Sequence, residues 1–195
     1  MELFIARHGE DTDTAMGRFN GTHDAALTDR GKEQARLLAQ QLHQSPLRFE
    51  SIFSSPLQRA LDTAHILHEV GGQPLPRIEE NLHERNIGVL TGKTVPQAEQ
   101  IYQGETYSVN DRVFFLHPPE GETFDELFER AHTLLQSLKE VSGAGKVCLV
   151  THRGIATMLY ASWYGVSWKE ALGAFVINPA ELFYFTKDAS PEKLF

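Results

Sequence analysis

The 195 residues suffice for one compact domain with a substantial core, and 41% hydrophobic with 23% charged residues is ordinary for a soluble globular chain. A formal net charge of −8 without a basic run argues against nucleic acid or an anionic membrane as the main partner. The single cysteine, Cys148, excludes an intrachain disulfide scaffold and is expected to be a small core residue in a reducing compartment.

Taken in chain order, Leu3-Phe4-Ile5-Ala6 is a short apolar run that breaks at Arg7-His8-Gly9-Glu10, as a buried strand does where its C-terminal end opens into a loop. The start lacks the basic region of a signal peptide, and no apolar run is long enough to span a bilayer. A cytoplasmic protein is expected. Thr28 can cap a helix carrying Ala35, Leu38, Ala39 and Leu42 at helical spacing. A second strand at Glu50–Phe53 leads to Ser55-Pro56-Leu57-Gln58. This reads as a capping box with proline in the first turn, opening a helix faced by Leu57, Ala60, Leu61, Ala64 and Leu67. From about 91 to 119, scattered prolines, glycines and aromatics break the alternation and predict a lid inserted over one end of the sheet.

Thr123 and Glu126 form another capping box, before a stripe of Phe124, Leu127, Phe128, Ala131, Leu134, Leu135 and Leu138. Gly143 and Gly145 are expected to end that helix. Lys146–Thr151 reads as the next strand, with a helix after His152 built on Ile155, Met158, Leu159 and Ser162. Glu181–Thr186 reads as the last strand. Alternating strands and helices predict an α/β fold, a three-layer sandwich with a mostly parallel central sheet and helices on both faces. Residues 1–195 are expected to form one domain, monomeric or homodimeric.

Ligands in open α/β sheets sit beyond the C-terminal strand ends. Three such ends carry Arg7-His8-Gly9, Ser54 through Arg59, and Thr151-His152-Arg153-Gly154. Together they would make an anion site of imidazole and guanidinium. Arginine donates two parallel hydrogen bonds to a phosphate, and a neutral imidazole can attack phosphorus. Gly9 would let the backbone pass close to the bound group. His65 and His68, one turn apart, lack a third ligand and read as a helix surface. His117 lies in the expected lid, and Trp163 and Trp168 read as packing residues.

The chain resembles the histidine phosphatase superfamily, also called phosphoglycerate-mutase-like. The likeness is carried by Ala6-Arg7-His8-Gly9-Glu10, Gly17-Arg18-Phe19-Asn20-Gly21, Asp24, Leu27-Thr28-Asp29-Arg30-Gly31, Ser54-Ser55-Pro56-Leu57-Gln58-Arg59-Ala60, Leu82-His83-Glu84-Arg85, Gly121-Glu122-Thr123 and Val150-Thr151-His152-Arg153-Gly154. The resemblance implies that His8 is the nucleophile that becomes phosphorylated, with Arg7, Arg59 and His152 binding the phosphoryl group. It implies that Glu84 is the acid toward the leaving alcohol and then the base toward water. Asn20 and Gly21 would add contacts to phosphate. Clustered cations would replace metal ions, so neither a metal nor a cofactor is expected. Asp11 stands where the family usually has Ser or Thr, and Thr14 where an asparagine is common.

The resemblance leaves three readings. Mutases of the family carry a longer insertion with paired arginines and a long C-terminal tail. Residues 91–119 here hold only Lys93 and Arg112 as cations. That favours a phosphatase acting on a small-molecule phosphomonoester, of the α-ribazole-5'-phosphate, broad-specificity or sugar-phosphate type. The alternatives are a cofactor-dependent phosphoglycerate mutase-type phosphotransferase and a phospholigand-binding regulatory protein without turnover.

Overall fold

A computed structural model describes residues 1–142 and 145–195. Strand β1 (Glu2–Arg7) is followed by a single helical turn, α1 (Thr12–Ala15), and by α2 (Asp29–Gln44). Next come β2 (Ser51–Ser54), α3 (Gln58–Glu69) and the two-residue edge strand β3 (Arg77–Ile78). Two 3₁₀ turns, Glu80–Leu82 and Gly88–Leu90, precede α4 (Val95–Ile101) and the strands β4 (Thr106–Val109) and β5 (Arg112–Phe115). The chain then forms α5 (Phe124–Ser142), β6 (Lys146–Thr151), α6 (Arg153–Tyr164), α7 (Trp168–Ala174), β7 (Leu182–Phe185) and β8 (Glu192–Lys193).

The central sheet has the order β3-β2-β6-β1-β7-β8, with β3, β2, β6 and β1 parallel and β7 and β8 antiparallel. Alternation along β1 distributes its side chains to two cores. Leu3 and Ile5 join Val147 and Leu149 against α5, α6 and α7. Phe4 and Ala6 join Cys148 and Val150 against α2 and α3. Helices therefore cover both faces, and the three-layer α/β expectation holds. Each central strand is buried on both sides, which is why it reads as an unbroken apolar run.

The register carries the functional consequence. Arg7 pairs with Thr151 and Ser54 with Val150, so three strands stop at nearly one level. The His8 N–H then donates to the Thr151 carbonyl (3.0 Å) and the Ser55 N–H to the Val150 carbonyl (3.0 Å). His8, Ser55 and His152 thus leave the sheet side by side.

Several local expectations need correcting. Ser55 does not cap α3, which begins at Gln58 with Leu57 at the N-cap and no side-chain cap from it. The Ser55 hydroxyl is engaged by His152 instead, and Asp24 Oδ1 accepts the Gln58 N–H (2.7 Å) from a distant loop. Residues 91–119 are not irregular throughout. Thr94 and Gln97 make a capping box for α4, and β4 and β5 form a hairpin. Its two-residue turn, Asn110-Asp111, has φ of 51° and 57°, a left-handed pair that Asn and Asp tolerate. β7 is not the last strand, since β8 pairs with it. α5 runs to Ser142; of the glycines expected to end it, Gly143 lies outside the described residues.

The expected caps at Thr28 and Thr123 are present: Thr28 Oγ1 accepts the Gly31 N–H, and Thr123 and Glu126 bond reciprocally. No helix among the described residues is long and apolar enough to cross a membrane.

Candidate active site

His8 follows β1 directly and is 3% exposed. Its Nδ1 lies 2.7 Å from the Gly9 carbonyl, which can only accept. Nδ1 therefore carries the proton, and the Nε2 lone pair is left for attack. Burial, reinforced by the Arg7 and Arg59 guanidiniums, holds the imidazole well below the usual histidine range, so it stays neutral. Gly9 is needed less for a ligand than for its neighbour, because a β-carbon there would overlap the Gly31 carbonyl at the start of α2. This close approach and the Gly9 N–H bond to Thr63 Oγ1 (3.1 Å) fix the loop that presents His8.

His152, fully buried, follows β6 and is the N-cap of α6, and its ring centroid lies 4.9 Å from that of His8. Its Nδ1 accepts from Arg59 Nε (3.2 Å), a group that can only donate, so the proton sits on Nε2 and points to Ser55 Oγ (2.7 Å). Burial and then the neighbouring His8 keep this ring neutral as well. Arg59, second residue of α3, is 1% exposed. Its two terminal nitrogens donate to the carbonyls of His23 (2.6 Å) and Gly21 (3.0 Å). Arg7 donates through Nη1 to the Ile177 carbonyl (3.2 Å), while its buried Nε has no partner among the described residues. Burial and the nearby Arg153 push the Arg7 guanidinium down to about 10, still fully charged at neutral pH.

Glu84 follows the first 3₁₀ turn and reaches the N-terminus of α6. Its carboxylate accepts from the backbone N–H groups of Gly154 (2.9 Å), Ile155 (3.2 Å) and Arg85 (2.8 Å). A helix N-terminus favours an anion. The structure therefore brings Arg7, His8, Arg59, Glu84 and His152 to one end of the sheet.

Asn20 and Gly21 lie in the adjoining loop, where the Asn20 amide donates to Asp11 Oδ1 and the Gly21 carbonyl receives Arg59. Asp11 is fully buried and caps α1. Its carboxylate also accepts from Asp13 N, Thr14 N and Thr14 Oγ1. The two departures from the family pattern, Asp11 and Thr14, are thus hydrogen-bonded to each other.

A cavity of about 460 Å³ opens against this end of the sheet, within the range of small-molecule sites. Arg7, Asn20, Gly21 and Glu84 line it, whereas His8, Arg59 and His152 are not among its lining residues. Phe114 and Phe115 of the hairpin, with Phe124 and Leu172, supply apolar lining. Arg112 also lines it; Lys93 and the exposed His117 do not.

Sequence reasoning missed three contributors. Ser55 and Arg153 stand inside quoted motifs, but their partners are set only by tertiary contact. Arg85, beside Glu84, is buried with its guanidinium 3.8 Å from the Phe124 ring and bonded to the Glu122 and Leu116 carbonyls. No cluster of three or more His, Cys, Asp or Glu side chains that could hold a metal occurs among the described residues. Burial pushes the Cys148 thiol up, as suits a core residue, and Trp168 stacks on Phe124 at 5.0 Å.

Comparison with known proteins decides the lineage. Residues 3–188 match the family model of the histidine phosphatase superfamily, branch 1. The chain belongs to this superfamily.

Among curated relatives of this chain, phosphoglycerate mutase-like protein 4 of Arabidopsis thaliana is 30% identical over 161 residues, covering 82% of this chain and 69% of the relative. A metal-independent phosphoserine phosphatase of the same plant is 31% identical over 163 residues, covering 82% and 67%. The solved structure of a mycobacterial glucosyl-3-phosphoglycerate phosphatase superposes with a TM-score of 0.80 at 24% identity, covering 98% and 96%, a likeness of fold. The relatives' names span mutase and phosphatase.

Proposed function

We infer that the chain is a metal-independent phosphatase that hydrolyses small-molecule phosphomonoesters through a phosphohistidine on His8. The observation that carries this reading is the His8 imidazole, neutral, with Nδ1 fixed on the Gly9 carbonyl and Nε2 left among Arg7, Arg59 and His152. Attack of Nε2 on phosphorus forms the N–P bond as the ester P–O bond breaks, and the leaving alkoxide takes a proton from Glu84, whose carboxylate picks that proton up from solvent when the anionic ester binds beside it. Glu84 then removes a proton from water, which cleaves the N–P bond and releases inorganic phosphate.

Phosphoryl entry requires Arg59 to exchange the Gly21 and His23 carbonyls for phosphoryl oxygens. His152 Nδ1, freed from Arg59, takes up a proton from solvent as the anionic phosphoryl group arrives and donates to it. Asn20 and Gly21 sit at that entrance. Arg7 and Arg59, with the His152 ring once it has taken up that proton, would balance transition-state charge without a divalent ion. Residues 91–119 act as the lid, and their hairpin supplies the cavity with Arg112 as its cation. This is too little positive charge in the lid for the doubly phosphorylated intermediate of a mutase, and water is the acceptor.

Hydrolysis of p-nitrophenyl phosphate and of a metabolite panel in excess EDTA tests the reading. Activity survives chelation and falls by at least about a thousandfold in His8→Ala. Loss in EDTA with recovery on adding a divalent metal would contradict it.

A further inference from the structure

One buried group beside His8 has no part in the phosphoryl chemistry above. Asp11, the N-cap of α1, is fully buried and does not line the cavity. Its carboxylate accepts from the Asp13 N–H (3.0 Å), the Thr14 N–H (2.9 Å), Thr14 Oγ1 (2.7 Å) and the Asn20 amide. Its Oδ2 also lies 3.8 Å from His8 Nδ1, the ring nitrogen that does not attack. Among the described residues this is the one ion-pair contact Asp11 makes.

In the free enzyme that contact joins a carboxylate to an uncharged ring, and attack changes it. The Nε2 lone pair becomes the N–P bond, and the ester P–O electron pair leaves with the alcohol. The Nδ1 proton stays, because the Gly9 carbonyl that holds it cannot take it away. The ring is then a phosphoimidazolium. Hydrolysis returns the N–P electron pair to Nε2 and leaves the ring neutral again.

A new buried cation is costly unless an anion faces it. Arg7 of β1, Arg59 of α3 and Arg153 of α6 all act against positive charge on His8, and His152 joins them once protonated. The phosphoryl oxygens answer Arg7, Arg59 and His152. The other carboxylates nearby are engaged elsewhere. Glu84 holds the proton destined for the alcohol, and Glu10 pairs with Arg30 at 3.5 Å. Asp13 is bonded to His23 Nδ1 (2.7 Å), and Asp24 accepts the Gln58 N–H (2.7 Å). Asp11 is left to face the ring, and its charge reaches Arg7 and Arg59 as well.

We propose that Asp11 is the counter-charge of the phosphorylated His8 ring, forming an ion pair that exists only once attack has begun. Asp11 does not touch the ester and acts through His8, as a positioning residue. An interaction made in the transition state and absent from the ground state raises the rate. The carboxylate therefore speeds phosphoryl capture and, by stabilising the intermediate, lets phosphoenzyme accumulate. The proposal rests on the phosphatase reading above.

Asp11→Asn removes the charge and keeps the shape. Asp11→Ser removes it and keeps a side chain that caps α1, and it decides should the first variant fail to fold. Rapid quench with ³²P-labelled p-nitrophenyl phosphate separates nitrophenolate release in the first turnover from decay of the label on His8 after a chase with unlabelled ester. In both variants capture, read as kcat/KM, falls about a hundredfold, the scale of losing one preorganised electrostatic partner. Decay of the label is not slowed, so the labelled fraction at steady state falls too. Inhibition by inorganic phosphate is not weakened, whereas a disordered site would lose it.

Capture and decay slowed alike, or kcat/KM within about threefold of wild type, overturns the proposal and leaves the phosphatase reading intact. Absence of label on His8 in the wild type overturns both.

Discussion

Replacing Gly154 by alanine addresses the Glu84 assignment without touching a titratable group. A β-carbon at 154 would overlap Glu84 Oε1 and lie 3.2 Å from Cδ. The obstructing atoms are the end of a flexible, half-buried side chain, so the carboxylate moves and the α6 backbone stays. Alanine is favoured over glycine in a helix by up to about 1 kcal/mol. Against that stands the loss of the Gly154 and Ile155 N–H bonds to a carboxylate, about 1–3 kcal/mol after resolvation. The fold survives that difference. Proton donation by a placed acid contributes about 10²- to 10⁴-fold. Initial rates should show kcat/KM on an alkyl phosphate falling about a hundredfold or more. On p-nitrophenyl phosphate, whose leaving group departs without a proton, the fall should stay under about tenfold. Because kcat/KM reports steps up to loss of the alcohol, later attack by water does not blur the contrast. Equal falls on both esters, or no fall on either, would remove Glu84 from its role as the acid.

Ser55→Ala strips the buried His152 Nε2–H of its acceptor at 2.7 Å and should cost about 1–3 kcal/mol in urea unfolding, with a loss of kcat/KM as the ring drifts. An unchanged midpoint would mean that His152 finds another partner. His8 and His152 are both held neutral in the fold, well below the usual histidine value of about 6.5. Below that value the unfolded chain binds protons that the native one does not. Stability therefore falls as pH drops from about 6.5 toward the depressed native values, with a slope approaching about 1.4 kcal/mol per pH unit for each ring. His152→Gln should flatten the acid slope measured by urea titrations across pH. A slope unchanged in that variant would contradict the buried neutral assignment.

Much of the site could be read from the chain because the relevant residues stand where apolar runs end. Leu3–Ala6 and Val147–Val150 are buried on both faces of the sheet, so the polar pairs just after them, Arg7-His8 and Thr151-His152, had to emerge at its edge. Arg59 was legible by its place beside Ala60 on the inward face of α3. What stayed hidden depends on partners distant in sequence. Ser55 looks like a helix cap until His152, 97 residues on, takes its hydroxyl, and the cap for Gln58 comes from Asp24, 34 residues back. The β4–β5 hairpin was missed because its turn is Asn-Asp, without the glycine that usually announces two left-handed residues. Arg153 gave no local sign of its buried Nε, without a partner among the described residues, which only packing creates.

The phosphoenzyme itself is the most direct test of the central claim. Wild-type protein mixed with a radiolabelled phosphomonoester, quenched in alkali within one turnover and digested, should carry acid-labile label on the peptide containing His8, and His8→Asn should carry none. Hydrolysis with no trappable label on His8, or label on another residue, would contradict the account.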